Sequence, residues 1–145
     1  MTDDIDAFLR DRLKEDTETA HAAMWDEHSG SWTARPPETR HERYTVEDYC
    51  DDGVVIVAPE NADPDGVGRH VARWDPERVL AEVDAKRRML DVHRRVHRRS
   101  TGSAGGINED CAICDHFPAQ YPCGTLRLLA LPYAAHPDYQ EAWRP

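Results

Sequence analysis

Cys111-Ala112-Ile113-Cys114, then Cys123 after eight intervening residues, with His93 and His97 upstream, brings three thiols and nearby imidazoles into one short span. Zinc takes thiolate and imidazole ligands in a tetrahedral array, and a two-residue gap lets two sulfurs face one ion across a tight turn. Cys123, just after Pro122 at a predicted helix start, supplies a third thiolate where the helix dipole favours negative charge. The fourth ligand stays open. His93 ranks first and His97 is the alternative, since both lie four apart on one face of a predicted long helix, with Leu90 marking its buried stripe. His116 is only two residues from Cys114, too close to wrap an ion comfortably. Cys50 lies in a predicted turn and reaches the site only if that turn docks there. Three thiolates and one histidine fill every tetrahedral position, which characterises a structural rather than a catalytic zinc ion.

Other catalytic signatures are absent from the sequence. It contains no H-E-x-x-H helix, and Pro122-Cys123 lacks the second cysteine of a deaminase pattern. Gly102-Ser103-Ala104-Gly105-Gly106 has no lysine to make a phosphate loop, and no G-x-S-x-G element occurs. Asp3-Asp4 and Asp51-Asp52 read as cap and turn residues. No catalytic residue is therefore assigned, and a zinc enzyme with an open coordination position is the weakest reading.

The chain has 145 residues, a length that predicts a single small domain over 1–145. Its 39% hydrophobic content and mean hydropathy of -0.78 leave a modest core, whose shortage a metal clasp would offset. No apolar run is long enough for a membrane span and the start does not read as a secretory signal, so the expected location is cytoplasmic, where clustered thiols stay reduced. The net charge of -10 is uneven. Lys86 to Arg99 holds seven basic residues and one acid, +6, which leaves -16 elsewhere. That acidic remainder disfavours broad nucleic-acid binding.

The elements that must position the cluster are legible from periodicity and turn chemistry. Asp3 to about Met24 reads as an amphipathic helix, with Ile5, Phe8, Leu9 and Leu13 on one face. Residues 25–43 read as a flexible loop with a short strand near Trp32-Thr33-Ala34. Tyr44 to Val57 is a hairpin turning at Asp51-Asp52-Gly53. A short helix is expected from Val67 to Arg73. Asp75 then caps a long helix with Pro76 in its first turn, running to about Arg99. Residues 100–110 read as a second flexible loop, followed by the cysteine knuckle. A last short helix runs from Leu126 to about Leu131, and the tail 133–145 packs on the core. The predicted class is α+β, mainly helical: an amphipathic amino-terminal helix, a small β-hairpin or short sheet, a long central helix, a zinc knuckle and a short carboxyl-terminal helix. Trp25, Trp32, Trp74 and Trp143 are expected in the core or at its rim.

Two segments carry a resemblance. Asp75 to Arg88, DPERVLAEVDAKRR, and Thr125 to Tyr133, TLRLLALPY, with His136-Pro137-Asp138-Tyr139 and Trp143, resemble the signatures of a small domain-of-unknown-function family of actinobacteria and their phages. Asp6 to Leu13 fits that family's opening helix, whereas Ser29-Gly30-Ser31-Trp32 departs from its Pro-Gly-Pro-Trp turn. The resemblance implies that the three cysteines belong to a family pattern accompanied by a histidine, here His93. It implies no activity. The reading that follows is a non-enzymatic, zinc-stabilised binding or adaptor module with a protein partner. The alternatives are an acidic, phage-derived inhibitor of a host nucleic-acid-binding protein, and nucleic-acid contact through a basic helix over 86–99.

Overall fold

Asp4 opens the first helix, α1 (Ile5–Ala22), by accepting the Asp6 amide on its carboxylate at 3.0 Å, which satisfies an otherwise orphaned helix-start donor. The computed structural model describes residues 4–51, 53–61, 66–100, 105–114 and 120–145. They form an α+β fold of four helices and two small antiparallel sheets. Among the described residues, no helix is long and apolar enough to cross a membrane. The chain divides into two compact units, Met1–Lys14 with Asp84–Pro145, and Glu15–Val83.

The first unit buries Ile5, Phe8, Leu9 and Leu13 from one stripe of α1, as the spacing of three and four residues dictates. The tail folds onto that stripe. Phe8 meets the rings of Tyr133, Tyr139 and Trp143, with Trp143 nearest at 5.0 Å between centroids, and Trp143 is itself buried. Buried Arg12 stacks on the Phe8 ring and meets the His136 imidazole. The last helix, α4 (Gly124–Ala130), contributes buried Leu126 and Ala130, and a short 3-10 turn follows over Leu131–Tyr133.

The second unit is built on strands β1 (Thr33–Arg35), β2 (Thr45–Glu47) and β3 (Gly53–Ile56), paired antiparallel in that order. Thus β1 falls at the short strand expected near Trp32-Thr33-Ala34, inside the segment 25–43 otherwise read as a loop. The hairpin turn closes where Asp51 donates its amide to the Asp48 carbonyl at 3.1 Å, with Asp51 at a φ of 57° that aspartate tolerates better than bulky residues. Asp52 lies outside the described residues. Helix α2 (Val67–Arg73) sets Gly68 directly against the ring of buried Tyr44.

Helix α3 (Pro76–Val92) starts as the sequence predicts. Asp75 accepts the Arg78 amide at 2.9 Å and, through its other oxygen, the Trp32 amide at 3.1 Å. Asp75→Ala removes both acceptors, and we expect it to lower stability by about 1–2 kcal/mol, read from the urea midpoint. An unchanged midpoint would contradict this double role.

The far end of α3 corrects the sequence reading. The helix stops at Val92 instead of running to Arg99, and Arg95–Arg99 is a strand, β4. Its partner, β5 (Ile107–Cys111), occupies most of the second half of the segment 100–110 read as a loop. Five registered pairs join them, from Arg95↔Cys111 to Arg99↔Ile107, and Ser100 closes the ribbon by donating to the Gly106 carbonyl at 2.7 Å. Charge chemistry rationalises the switch. Arg95 pairs with Glu109 at 3.4 Å and with Asp4 at 3.2 Å, and Arg98 lies 4.0 Å from Asp110. Cross-strand opposite charges favour the ladder where an arginine-rich continuation favours helix. The stretch 86–99 is therefore not one basic helix but the end of α3 followed by β4, and part of its positive charge is matched by neighbouring acids.

Candidate metal centre

The β4–β5 register places the cluster. Because Arg95 faces Cys111, continuing the ladder sets position 93 opposite position 113, between the two cysteines of the CxxC. Two backbone bonds hold this junction. The His93 amide closes the last turn of α3 on the Met89 carbonyl at 3.0 Å, and the Ala112 amide donates to the Arg94 carbonyl at 2.9 Å. On the other side of β5, Gln120 bridges Asp110 and the Tyr121 amide donates to the Glu109 carbonyl at 3.0 Å. The Arg95 guanidinium covers the Tyr121 ring at 4.7 Å. This carries the chain to Pro122 and Cys123, the residue before α4. Arg127 then donates from Nε to the Pro122 carbonyl at 3.1 Å and from Nη1 to the Ala142 carbonyl at 3.3 Å, tying the knuckle to the tail.

His93, Cys111, Cys114 and Cys123 converge so that one ligand atom from each lies within 4.8 Å of all the others. His93 Nδ1 stands 3.3 Å from the Cys111 sulfur, 3.7 Å from Cys114 and 3.5 Å from Cys123. A tetrahedral zinc with bonds of about 2.3 Å to sulfur and about 2.0–2.1 Å to nitrogen has nitrogen–sulfur edges of about 3.6 Å. The three distances match that edge. Cys111 and Cys123 are buried, and His93 and Cys114 half-buried. All four cysteines are free thiols.

The electrostatics of the thiols fit a cation. Burial pushes the Cys111 thiol up, but the amides of Ile113 and Cys114 and the His93 ring outweigh it and bring it down to about 7. Cys114 goes the other way, to about 12, through burial and through the neighbouring sulfurs of Cys111 and Cys123. One thiolate is thus favoured while a second beside it is opposed. A divalent ion removes that opposition, because its charge stabilises adjacent thiolates together.

The structure brings together His93 and the three cysteines, and it separates His97 from them. His97 faces Glu109 on the ribbon, four residues from His93, or about 13 Å of extended chain. The shared helix face expected for the two histidines does not exist, since neither residue lies within a helix. Cys50 sits in the hairpin turn of the second unit and is not among the four. His116 lies outside the described residues. Sequence reasoning missed the strand pairing that selects between the histidines. The available signal was Gly105-Gly106 followed by Ile107, a turn-and-strand pattern between two segments of opposite charge.

A model of a family of unknown function, DUF6221, matches residues 2–145. No curated protein and no solved structure matches the chain.

Proposed function

The chain belongs to this family of unknown function, and from the geometry of its cysteine cluster we propose that it is a non-enzymatic binding or adaptor module held by one structural zinc ion. The observation that carries the reading is the set of nitrogen–sulfur distances of 3.3, 3.5 and 3.7 Å around His93 Nδ1. Four protein ligands would leave no coordination position for water or substrate, which favours support over catalysis. Bound zinc would supply a cross-link, joining the end of α3, the end of β5 and the start of α4. What the fold then presents is surface for a protein partner, in a reducing, cytoplasmic setting that keeps the thiols available.

Metal analysis tests this on the purified full chain. We expect about one zinc per chain, retained in His97→Ala, with affinity falling at least about a hundredfold in His93→Ala. Equal zinc loss in both histidine variants, or a chain that takes up no zinc, would overturn the assignment.

A second reading is an acidic inhibitor that occupies the nucleic-acid-binding surface of another protein. It is favoured by charge segregation: residues 15–83 hold seventeen acids and six basic residues, -11, whereas the remainder holds eleven and twelve, +1. Such a protein would compete with nucleic acid for its target, and the competition would weaken as salt rises.

A further inference from the structure

The second unit contains an open cavity of about 510 Å³, within the range of about 300–1,000 Å³ typical of ligand clefts. Its lining combines the apolar side chains of Met24 and Leu80, the rings of Tyr49 and His28, and two acids, Glu77 and Glu27, the latter with its carboxylate 3.6 Å from the His28 ring nitrogen. Gly30 also lines it, and a Cβ there would meet the Met24 methyl at 3.0 Å and the Glu77 amide at 3.4 Å. Glycine at this position lets Met24 lie flat against the backbone.

The Tyr49 ring is both exposed and tied in place, stacked on Trp25, which lies outside the cavity lining. Tyr49 is 53% and Trp25 62% exposed, yet the two rings stack at 5.7 Å with an interplanar angle of 17°. Each polar tip is tied to a carboxylate. The Tyr49 hydroxyl donates to Asp26 at 2.5 Å, and the Trp25 indole donates to Asp48 at 2.7 Å. The buried Asp48 is held in turn by the Cys50 amide at 2.9 Å. The hydrogen bond from Tyr49 also holds the Asp26 carboxyl below its usual range. Large rings left in water with little freedom to move lose little entropy on binding, which is what makes aromatic residues effective anchors.

We propose that this cavity binds an arginine side chain presented by a basic segment of the partner protein. The inference rests on the reading of the chain as a protein-binding module and names what that module recognises. Three features select the ligand. The Met24 and Leu80 side chains suit an apolar stem, the Tyr49 ring suits a flat cation, and the acids Glu27 and Glu77 suit a positively charged donor group. The surrounding unit, at -11, draws basic polypeptide toward the site and repels nucleic acid. Arginine is favoured over lysine because its guanidinium is planar, stacks on an aromatic ring and pairs bidentately with carboxylates.

The test uses the full, zinc-loaded chain and calorimetric titration with a tetra-arginine peptide, with tetra-lysine as comparator. Arginine should bind at least about fivefold more tightly than lysine. The double variant Glu27→Gln/Glu77→Gln should weaken arginine binding at least about tenfold. The double variant Glu38→Gln/Glu60→Gln, which removes the same charge from elsewhere in the unit, should change it less than about threefold. Tyr49→Ala should lose binding about fivefold, while Tyr49→Phe, which keeps the ring, should not. Equal losses in the two glutamate double variants, or no preference for arginine, would overturn the proposal. Zinc content is measured on the same samples. A zinc-loaded chain that ignores the peptide therefore refutes this cavity as the arginine site without touching the metal assignment, and a chain without zinc refutes the metal assignment first.

Discussion

Cys111→Ser is expected to strip zinc from the chain and lower the stability of the first unit by at least about 4 kcal/mol, a conservative fraction of what structural zinc contributes in small metal-stabilised domains. Of the four proposed ligands, Cys111 has the least tolerance for change. It is fully buried, it closes β5 opposite Arg95, and its sulfur lies nearest the His93 nitrogen, at 3.3 Å. Serine keeps the volume roughly constant but supplies a poor zinc ligand, leaving the other two sulfurs crowded around a buried hydroxyl. Apart from α3, the elements that meet at or lead into the site are short: two five-residue strands and a seven-residue helix. Elements of that length depend on tertiary ties for their stability. Hydrogen exchange is the suitable readout. Protection should disappear across β4 and β5 and at the Ala112 and Tyr121 amides in the variant, and in the wild type treated with strong chelator. Cys50→Ser, at an exposed position in the other unit, should change neither. Wild-type protection that survives chelator unchanged would contradict the role given to the metal.

Gly68→Ala is the second large effect. A Cβ on Gly68 would stand 2.1 Å from Tyr44 Cε1, 2.5 Å from Cζ and 2.8 Å from the hydroxyl oxygen. Real atoms do not approach so closely, so the ring or α2 must move. Tyr44 has little room to yield, being 2% exposed and next in the chain to β2, whose Val46 is fully buried. Overpacking of this kind costs about 3 kcal/mol, against at most about 1 kcal/mol gained from alanine's better helix propensity. The clash therefore outweighs the propensity, and the urea midpoint should fall accordingly. Gly124→Ala, where nothing lies within 4 Å of the added carbon, should be neutral or mildly stabilising. Equal midpoints for the two alanine variants would show that the Gly68–Tyr44 contact is not tight in solution.

These two sites also show what the sequence could and could not reveal. The starts of α1 and α3, all of α2 and the β2–β3 hairpin are legible because their causes are local: Asp4 and Asp75 as caps, the Ile5–Leu13 stripe, and the turn around Asp51 and Gly53. The β4–β5 ribbon is not legible in the same way. Arg95 to Arg99 reads as a helical continuation, and its pairing with 107–111 depends on partners that only the folded chain brings into register. That single non-local fact separates His97 from His93. The CxxC and Cys123 stand out by type and spacing, whereas choosing their histidine requires the ribbon. The Trp25–Tyr49 stack is harder still, because it joins residues 24 positions apart through Asp26 and Asp48, which sequence offers only as two more acids.

X-ray absorption at the zinc edge on the purified chain examines the ligand set directly. The structure predicts three sulfur atoms at about 2.3 Å and one imidazole nitrogen at about 2.0–2.1 Å, with the nitrogen contribution retained in His97→Ala and lost in His93→Ala. A first shell dominated by oxygen, or one with fewer than three sulfurs, would contradict a closed clasp built from His93, Cys111, Cys114 and Cys123.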